Sequence, residues 1–216
     1  MTFRWKLAQA FEIRWWQQYL KNKPTTDYRV WKSAYWLTLL QNIGLSDILK
    51  DTNQRILDAG CGPAGIFMLF KDQKKVDALD PLLLEYETKL PHFKQSNYPN
   101  VQFYAQTLES FNKNEEYDTL FCLNAINHVA DLNTCFDILV KATKFGGTLV
   151  VSIDAHNYEF LKHIFQLIPG DILHPHQYNL KEYSEMLTQR GCIIENTVLY
   201  KKEFIFNYFI LVAKKS

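Results

Sequence analysis

The stretch "RILDAGCGPAGIFML", residues 55–69, decides how the rest of the sequence is interpreted. Its apolar run Ile56–Ala59 is followed by glycines at positions 60, 62 and 65, in the spacing G-x-G-x-x-G. Glycines at the end of a strand let a ligand approach the backbone closely, because no Cβ stands in the way. The stretch therefore predicts a buried strand, a ligand-binding turn, and a helix over about 64–71.

Downstream of this stretch, strand-like and helix-like segments alternate. Apolar runs predict strands near 76–79, 101–104, 117–123 and 148–154, and helices are expected over 81–90, 132–144, 156–168 and 179–190. Asn179, followed three residues later by Glu182, is typical of a helix N-terminus. Two final β-rich runs, 192–200 and 203–213, predict a hairpin. The pattern indicates an α/β fold with a Rossmann-like, seven-stranded, mostly parallel sheet whose last strand is antiparallel.

The segment before the glycine stretch has a different character. It carries all 5 tryptophans of the chain and predicts helices over 3–22 and 28–43, with Asp27 as the cap of the second. We expect residues 1–50 to form an N-terminal helical cap and 51–216 to form the ligand-binding domain. The aromatic side chains are compatible with a lid over a pocket, with simple packing of the helices onto the sheet, or with a partner-binding patch.

The composition excludes several classes of protein. The chain has 216 residues, 47% of them hydrophobic, and a formal net charge of +1, so no basic surface for nucleic acid is expected. Its 4 cysteines include no C-x-x-C pair. The charged N-terminus does not resemble a signal peptide, and no apolar run reaches the ~20 residues of a membrane span. A cytoplasmic protein is expected; the sequence does not indicate its oligomeric state.

Asp58, two residues before the first glycine, bears on which ligand the turn binds. A dinucleotide places its pyrophosphate at such a turn, and a nearby carboxylate opposes that negative charge. S-adenosylmethionine carries no phosphate and offers an ammonium, a carboxylate and a sulfonium. Asp58 suits the ammonium, since a charge-assisted hydrogen bond is worth roughly 1.5–3 kcal/mol. Asp80, at the end of the second predicted strand, suits the ribose hydroxyls of either ligand.

Two segments carry a resemblance to a known family. "ILDAGCGPAG" with "ALDP" resembles the first two signature segments of class I S-adenosylmethionine-dependent methyltransferases. Residues 101–153 are similar to the middle of the ubiquinone-biosynthesis type of small-molecule O-methyltransferase. The resemblance implies S-adenosylmethionine as the cofactor and Gly65 as a packing glycine. It also implies cofactor contacts from Asp58, Gly60, Cys61, Gly62, Asp80, Pro81, Leu82, Gln106, Thr107, Leu108 and Asn124.

The sequence departs from the ubiquinone type after the fourth predicted strand. That type has acidic residues at the positions matched by Asn124 and Asn127, followed by a histidine, which His128 matches here. With both acidic residues replaced by amides, a divalent metal is not expected. His128 is a candidate general base or substrate ligand, because it follows a strand at the ligand-binding edge of such a sheet. Packing within its loop is the alternative.

A second histidine-bearing segment, "PGDILHPHQYNLKEY", spans 169–183. Its His174 and His176 are candidate substrate-facing or catalytic residues. They could also form part of a purely structural connection. A metal site is not expected from this pair, because no third or fourth ligand is evident.

Together these patterns predict methyl transfer from S-adenosylmethionine to oxygen or nitrogen of a small molecule. The competing hypothesis is a cofactor-binding regulatory or partner-binding protein without methyltransferase activity. An NAD-dependent oxidoreductase is a third possibility, which predicts affinity for NADH.

Overall fold

A computed structural model of the protein describes residues 3–71, 75–156, 178–202 and 206–216. Backbone contacts divide the chain into two compact units, residues 1–108 and 109–216. Within the described residues, no helix has both the length and the apolar character required to cross a membrane.

The first unit contains two N-terminal helices and three parallel strands. The helices are α1 (Phe3–Leu20) and α2 (Thr25–Asn42); then follow β1 (Arg55–Ala59), β2 (Lys75–Leu79), α3 (Leu83–Lys89) and β3 (Val101–Tyr104). β1 pairs in parallel with β2, and β2 with β3. Four of the five β1 residues are buried, which explains its near-continuous apolar run.

The second unit contains the remaining strands. Its elements are β4 (Tyr117–Cys122), α4 (Leu132–Ala142), β5 (Thr143–His156), α5 (Leu180–Thr188), β6 (Cys192–Lys201) and β7 (Phe206–Lys215). β4 and β5 are parallel, whereas β7 is antiparallel to both β5 and β6. The predicted capping box of α5 is confirmed: the Asn179 side chain accepts from the Glu182 N–H at 2.9 Å, and Glu182 accepts from the Asn179 N–H at 2.8 Å.

All seven strands belong to one sheet in the order β3-β2-β1-β4-β5-β7-β6. The predicted Rossmann-like, mostly parallel sheet with an antiparallel last strand is confirmed. Because the carboxyl ends of parallel strands share one edge, the segments after β1, β2 and β3 lie where open α/β sheets bind their ligands.

Two local predictions were wrong. The expected helix over 64–71 is replaced by two short 3-10 helices, Gly62–Ala64 and Ile66–Leu69. Pro63 and Gly65 interrupt the helical pattern, and Gly65 has an extended conformation (φ −71°, ψ 178°). Asp27 is not the cap of α2, which begins at Thr25 after Pro24 and places Asp27 in its first turn. The fixed φ of proline suits the entry to a helix.

Candidate cofactor site

The glycine turn is held to the end of β2 by its own backbone. Gly60 and Gly62 have positive φ angles of 73° and 57°, a conformation that favours glycine. The N–H groups of Gly60 and Cys61 both donate to the Leu79 carbonyl oxygen, at 2.7 and 3.0 Å. The N–H of Gly62 donates to Oδ2 of Asp80 at 2.9 Å. These three N–H groups therefore already have partners inside the protein.

Asp58 is buried beneath this turn. Only 2% of it is exposed, and its Oδ2 accepts a hydrogen bond from the N–H of Phe67 at 3.0 Å. Burial raises the pKa of Asp58 to about 7, although the backbone N–H groups of Phe67 and Ile66 act in the opposite direction. Asp58 thus fixes the turn and gives it partial negative charge at neutral pH.

Gly65 is required by the position of Asp58. A Cβ at this residue would overlap the Asp58 carboxylate and lie 2.5 Å from the Cys61 carbonyl oxygen. The packing role expected for Gly65 therefore has a specific cause, which is the close approach of the 3-10 segment to β1.

Asp80 joins the turn to the segment after β2. Its Oδ1 accepts from the Leu82 N–H at 2.8 Å, while Oδ2 accepts from Gly62. Burial, followed by the negative charge of Glu12, raises the pKa of Asp80 to about 7. The neighbouring Pro81 is half-buried and Leu82 is only 3% exposed.

Residues 106–108 follow β3 and lie beside Asp80. The Tyr104 carbonyl oxygen accepts from the Asp80 N–H at 3.2 Å and from the Gln106 N–H at 3.0 Å. Gln106 and Thr107 are half-buried, and Leu108 is buried. The structure therefore brings together at one edge of the first unit the expected contacts Asp58, Gly60, Cys61, Gly62, Asp80, Pro81, Leu82, Gln106, Thr107 and Leu108.

The two N-terminal helices lie over the glycine turn. The Trp36 indole N–H donates to the Ala64 carbonyl oxygen at 3.0 Å, and Cζ2 of Trp16 lies 3.7 Å from the position of a Cβ on Gly62. Glu12 accepts from the Tyr86 hydroxyl at 2.8 Å. The tryptophans of this segment were expected from sequence as lid or packing residues. Glu12 and Lys32, whose ammonium interacts electrostatically with Asp58, were not identified from sequence.

The second unit places the asparagine segment after β4. Asn124 is exposed and has a positive φ of 55°, and its N–H donates to Oγ of Ser152 at 2.7 Å. Asn127 is buried: its Nδ2 donates to Asp154 at 2.9 Å, and its Oδ1 accepts from the Tyr183 hydroxyl at 3.1 Å. An amide can donate to Asp154 and accept from Tyr183, whereas an ionised carboxylate could only accept, so this network explains the absence of an acidic residue at 127.

The candidate histidines are placed differently. His128 is exposed at the end of the 3-10 helix Ile126–His128 in the second unit. His174 and His176 lie outside the described residues. Within the described ranges, no group of three or more histidine, cysteine, aspartate or glutamate side chains is placed to hold a metal ion.

Comparison with known proteins places this geometry in a family. Residues 50–191 match the family described as "Methyltransferase domain". The chain belongs to this methyltransferase family. The resemblance to class I S-adenosylmethionine-dependent methyltransferases, and with it the cofactor class expected from the sequence, is thereby confirmed.

The chain is also similar to a curated relative in sequence and to solved structures in fold. The chain is 32% identical over 98 residues to the ubiquinone biosynthesis O-methyltransferase of Rickettsia akari, a match covering 45% of this chain and 39% of that protein. A 1,6-didemethyltoxoflavin-N1-methyltransferase of Burkholderia thailandensis has a similar fold (TM-score 0.64, 14% identity, covering 97% of this chain and 87% of that one). The [4+2]-cyclase SpnF also has a similar fold (TM-score 0.64, 13% identity, covering 85% of this chain and 80% of that one).

The residues around the turn fit the cofactor of this methyltransferase family. Gly60, Cys61 and Gly62 have no N–H left for a pyrophosphate, since all three donate to protein oxygens. The side chains that surround the turn include the carboxylates of Asp58 and Asp80, with Glu12 acting on Asp80. A cationic ligand gains from this arrangement and an anionic one loses, which argues against the dinucleotide alternative.

Proposed function

We propose that this protein transfers a methyl group from S-adenosylmethionine to an oxygen or nitrogen atom of a small molecule. The observation that carries the proposal is the glycine turn, whose N–H groups are bonded internally while Asp58 and Asp80 supply negative charge beside it. When bound, the cofactor supplies a methyl group activated by its sulfonium.

In this proposal, different residues of the first unit bind different parts of the cofactor. Each Asp80 oxygen accepts one backbone N–H and retains a lone pair for a ribose hydroxyl. Asp58 attracts the ammonium of the methionine end, directly or through water. The segment 106–108, with Pro81 and Leu82, borders the adenine.

The N-terminal helices act in this proposal as a cap, residues 1–50, on the binding domain 51–216. Trp16 and Trp36 support this role, because both lie against the glycine turn. Aromatic rings there exclude water from the cofactor and strengthen its electrostatic interactions with the buried carboxylates.

His128 is proposed as the group that accepts the acceptor's proton. It is exposed, and it follows Asn127, which is fixed by Tyr183 and Asp154. Histidine is the side chain that most often accepts and donates protons in catalysis near neutral pH. His174 and His176 remain candidates for contacting the acceptor. The name of the Rickettsia relatives, which are O-methyltransferases, favours an oxygen nucleophile.

Calorimetry and a transfer assay test the proposal in two stages. Titration with S-adenosylmethionine, S-adenosylhomocysteine and NADH should give binding of the first two only. Folded protein that binds neither sulfur compound would refute the function. A panel of phenols, carboxylates and amines with methyl-labelled cofactor then identifies the acceptor. We expect His128→Asn to lower kcat by about 10²-fold or more while the cofactor Kd is unchanged.

A binding protein without methyltransferase activity is not favoured. That alternative was suggested by the amides at 124 and 127, but Asn127 has a structural explanation in its bonds to Asp154 and Tyr183. The binding-protein alternative predicts that the wild-type protein, with His128 intact, binds the cofactor but transfers no methyl group to any acceptor of the panel.

A further inference from the structure

A cavity of about 310 Å³ lies in the first unit, between the α1–α2 connection and the end of α3. Its wall is formed by ten residues from 17–25 and 89–92, and none of these ten is acidic. The volume is at the lower end of the range for small-molecule sites, which is roughly 300–1,000 Å³. None of the lining residues is an expected cofactor contact, so the cavity has no role in the site described above.

Three lysines on the wall give this cavity a positive charge. Lys21 and Lys89 are exposed, whereas Lys23 is half-buried and its Nζ lies 3.0 Å from the ring centroid of Tyr19. Among the residues that the structure describes, none of the three lysines forms an ion pair with a carboxylate. Their charges are therefore available to an anionic ligand.

The N-terminus of α2 contributes to the same cavity through Pro24 and Thr25. No side chain caps this 18-residue helix, and its first backbone hydrogen bond runs from the Tyr28 N–H to the Pro24 carbonyl oxygen at 3.0 Å. The N–H groups of Thr25, Thr26 and Asp27 have no acceptor in the described part of the chain. The exposed Asp27 carboxylate does not line the cavity. Free N–H groups and the helix dipole both favour an anion at this position.

His92 is an independent indication of a ligand. It lines the cavity and is only 6% exposed. Its Nε2 lies 2.7 Å from the Lys23 carbonyl oxygen, and because a carbonyl only accepts, Nε2 carries the hydrogen. Its Nδ1 is buried, and no group in the described ranges forms a hydrogen bond with it. Buried polar atoms rarely lack a partner, so this nitrogen indicates a partner that a ligand would supply.

We propose that this cavity binds the phosphate group of a small phosphorylated molecule. The N–H groups at the start of α2 and the ammonium of Lys23 donate to the phosphate oxygens, and Nδ1 of His92 donates when the ring is protonated. Donors from three directions suit a tetrahedral dianion better than a planar carboxylate. The organic part of the ligand occupies the rest of the volume. The inference does not depend on the proposed function, since no lining residue is assigned to methyl transfer.

Calorimetry on matched variants tests the proposal. Glycerol phosphate, inorganic phosphate and potassium chloride are titrated at equal ionic strength into the wild type, Lys23→Met and His92→Phe. Lys50→Met is the control for loss of a positive charge, because Lys50 is exposed and pairs with the exposed Asp47. Thermal unfolding of each ligand-free variant verifies that it is folded.

The wild type should bind glycerol phosphate with a Kd of about 1 mM or lower, bind inorganic phosphate more weakly, and not respond to chloride. Lys23→Met and His92→Phe should each weaken glycerol phosphate binding by roughly tenfold, whereas Lys50→Met should stay within about twofold of the wild type. The backbone contribution is followed by nuclear magnetic resonance, where the amide signals of Thr25 and Thr26 should shift on titration. If His92→Phe does not fold, Lys23→Met and these amide signals decide the result.

Four results would overturn the inference. The first is folded wild-type protein that does not bind glycerol phosphate. The second is equal weakening in all three variants, which indicates attraction to the overall charge. The third is unchanged affinity in both Lys23→Met and His92→Phe. The fourth is binding to vesicles that contain phosphatidic acid, but not to soluble glycerol phosphate, which indicates a lipid surface. Absence of cofactor binding would refute the proposed function and leave this inference standing.

Discussion

Asp80 holds the glycine turn directly: its Oδ2 accepts a hydrogen bond from the N–H of Gly62 at 2.9 Å. The two residues are 18 positions apart in sequence, at the ends of neighbouring strands. The same carboxylate also accepts from the Leu82 N–H. Asp80 therefore organises the backbone that the cofactor contacts, in addition to presenting its own charge.

Replacement of Asp80 by asparagine should impair cofactor binding. The N–H groups of Gly62 and Leu82 each donate to a different oxygen of Asp80, and an amide has only one oxygen that can accept. The substitution also removes the negative charge. We expect a loss of at least about tenfold in S-adenosylmethionine affinity by calorimetry. Asp47→Asn, at an exposed site, is the matched control and should bind normally. Unchanged affinity in Asp80→Asn would remove Asp80 from the site.

Gly65→Ala should disrupt the turn by steric overlap alone, because the backbone of Gly65 is one that any residue adopts. The added Cβ would overlap the Asp58 carboxylate, so we expect destabilisation of about 1–3 kcal/mol and loss of cofactor affinity. Gly146→Ala is the control: its φ is 71°, but no atom lies within 4 Å of the added Cβ. It should cost about 1–2 kcal/mol in strain and leave cofactor affinity intact.

The stability of the cofactor-free protein should fall as pH rises from about 4 to about 7. Burial raises the pKa values of Asp58 and Asp80 from 3.8 to about 7, so the folded state retains protons that the unfolded state has released. Unfolding therefore releases protons in this window, and each ionisation then destabilises the fold by about 1.4 kcal/mol per pKa unit.

Urea unfolding at several pH values measures this effect. The unfolding free energy of Asp80→Asn should decline less steeply with pH than that of the wild type. The difference between the two slopes separates the contribution of this carboxylate from that of the histidines. Identical slopes in the two proteins would contradict the raised pKa. In the wild type, we expect cofactor affinity to increase between about pH 6 and pH 7.5, as the two carboxylates ionise next to a cationic ligand.

Asn127→Asp should destabilise the second unit, most strongly above neutral pH. The new carboxylate would face Asp154, which now accepts from the Asn127 amide at 2.9 Å, and both groups would be acceptors only. We expect a loss of about 1–3 kcal/mol in unfolding free energy at pH 7.5, smaller at pH 5. Asn124→Asp is the control at an exposed position with little expected effect. Equal stability of both variants would show that the network contributes nothing.

The sequence predicted those parts of the site that follow from local patterns. Gly60 and Gly62 were identified by their spacing, and their positive φ angles explain why glycine is favoured there. Asp58 and Asp80 were identified by their positions at strand ends. The helix expected over 64–71 failed because Pro63 and the close approach of Gly65 to Asp58 override the helical pattern.

By itself, the sequence determined the α/β fold, the glycine turn and the class of ligand, because burial periodicity and backbone requirements are local properties of the chain. Only the tertiary structure decided that the N–H groups of the turn bond to Leu79 and Asp80, and that Lys32 and Glu12 act on the two aspartates. These relationships join residues that are far apart in sequence. They depend on how helices pack against a sheet edge, and no local pattern encodes that packing.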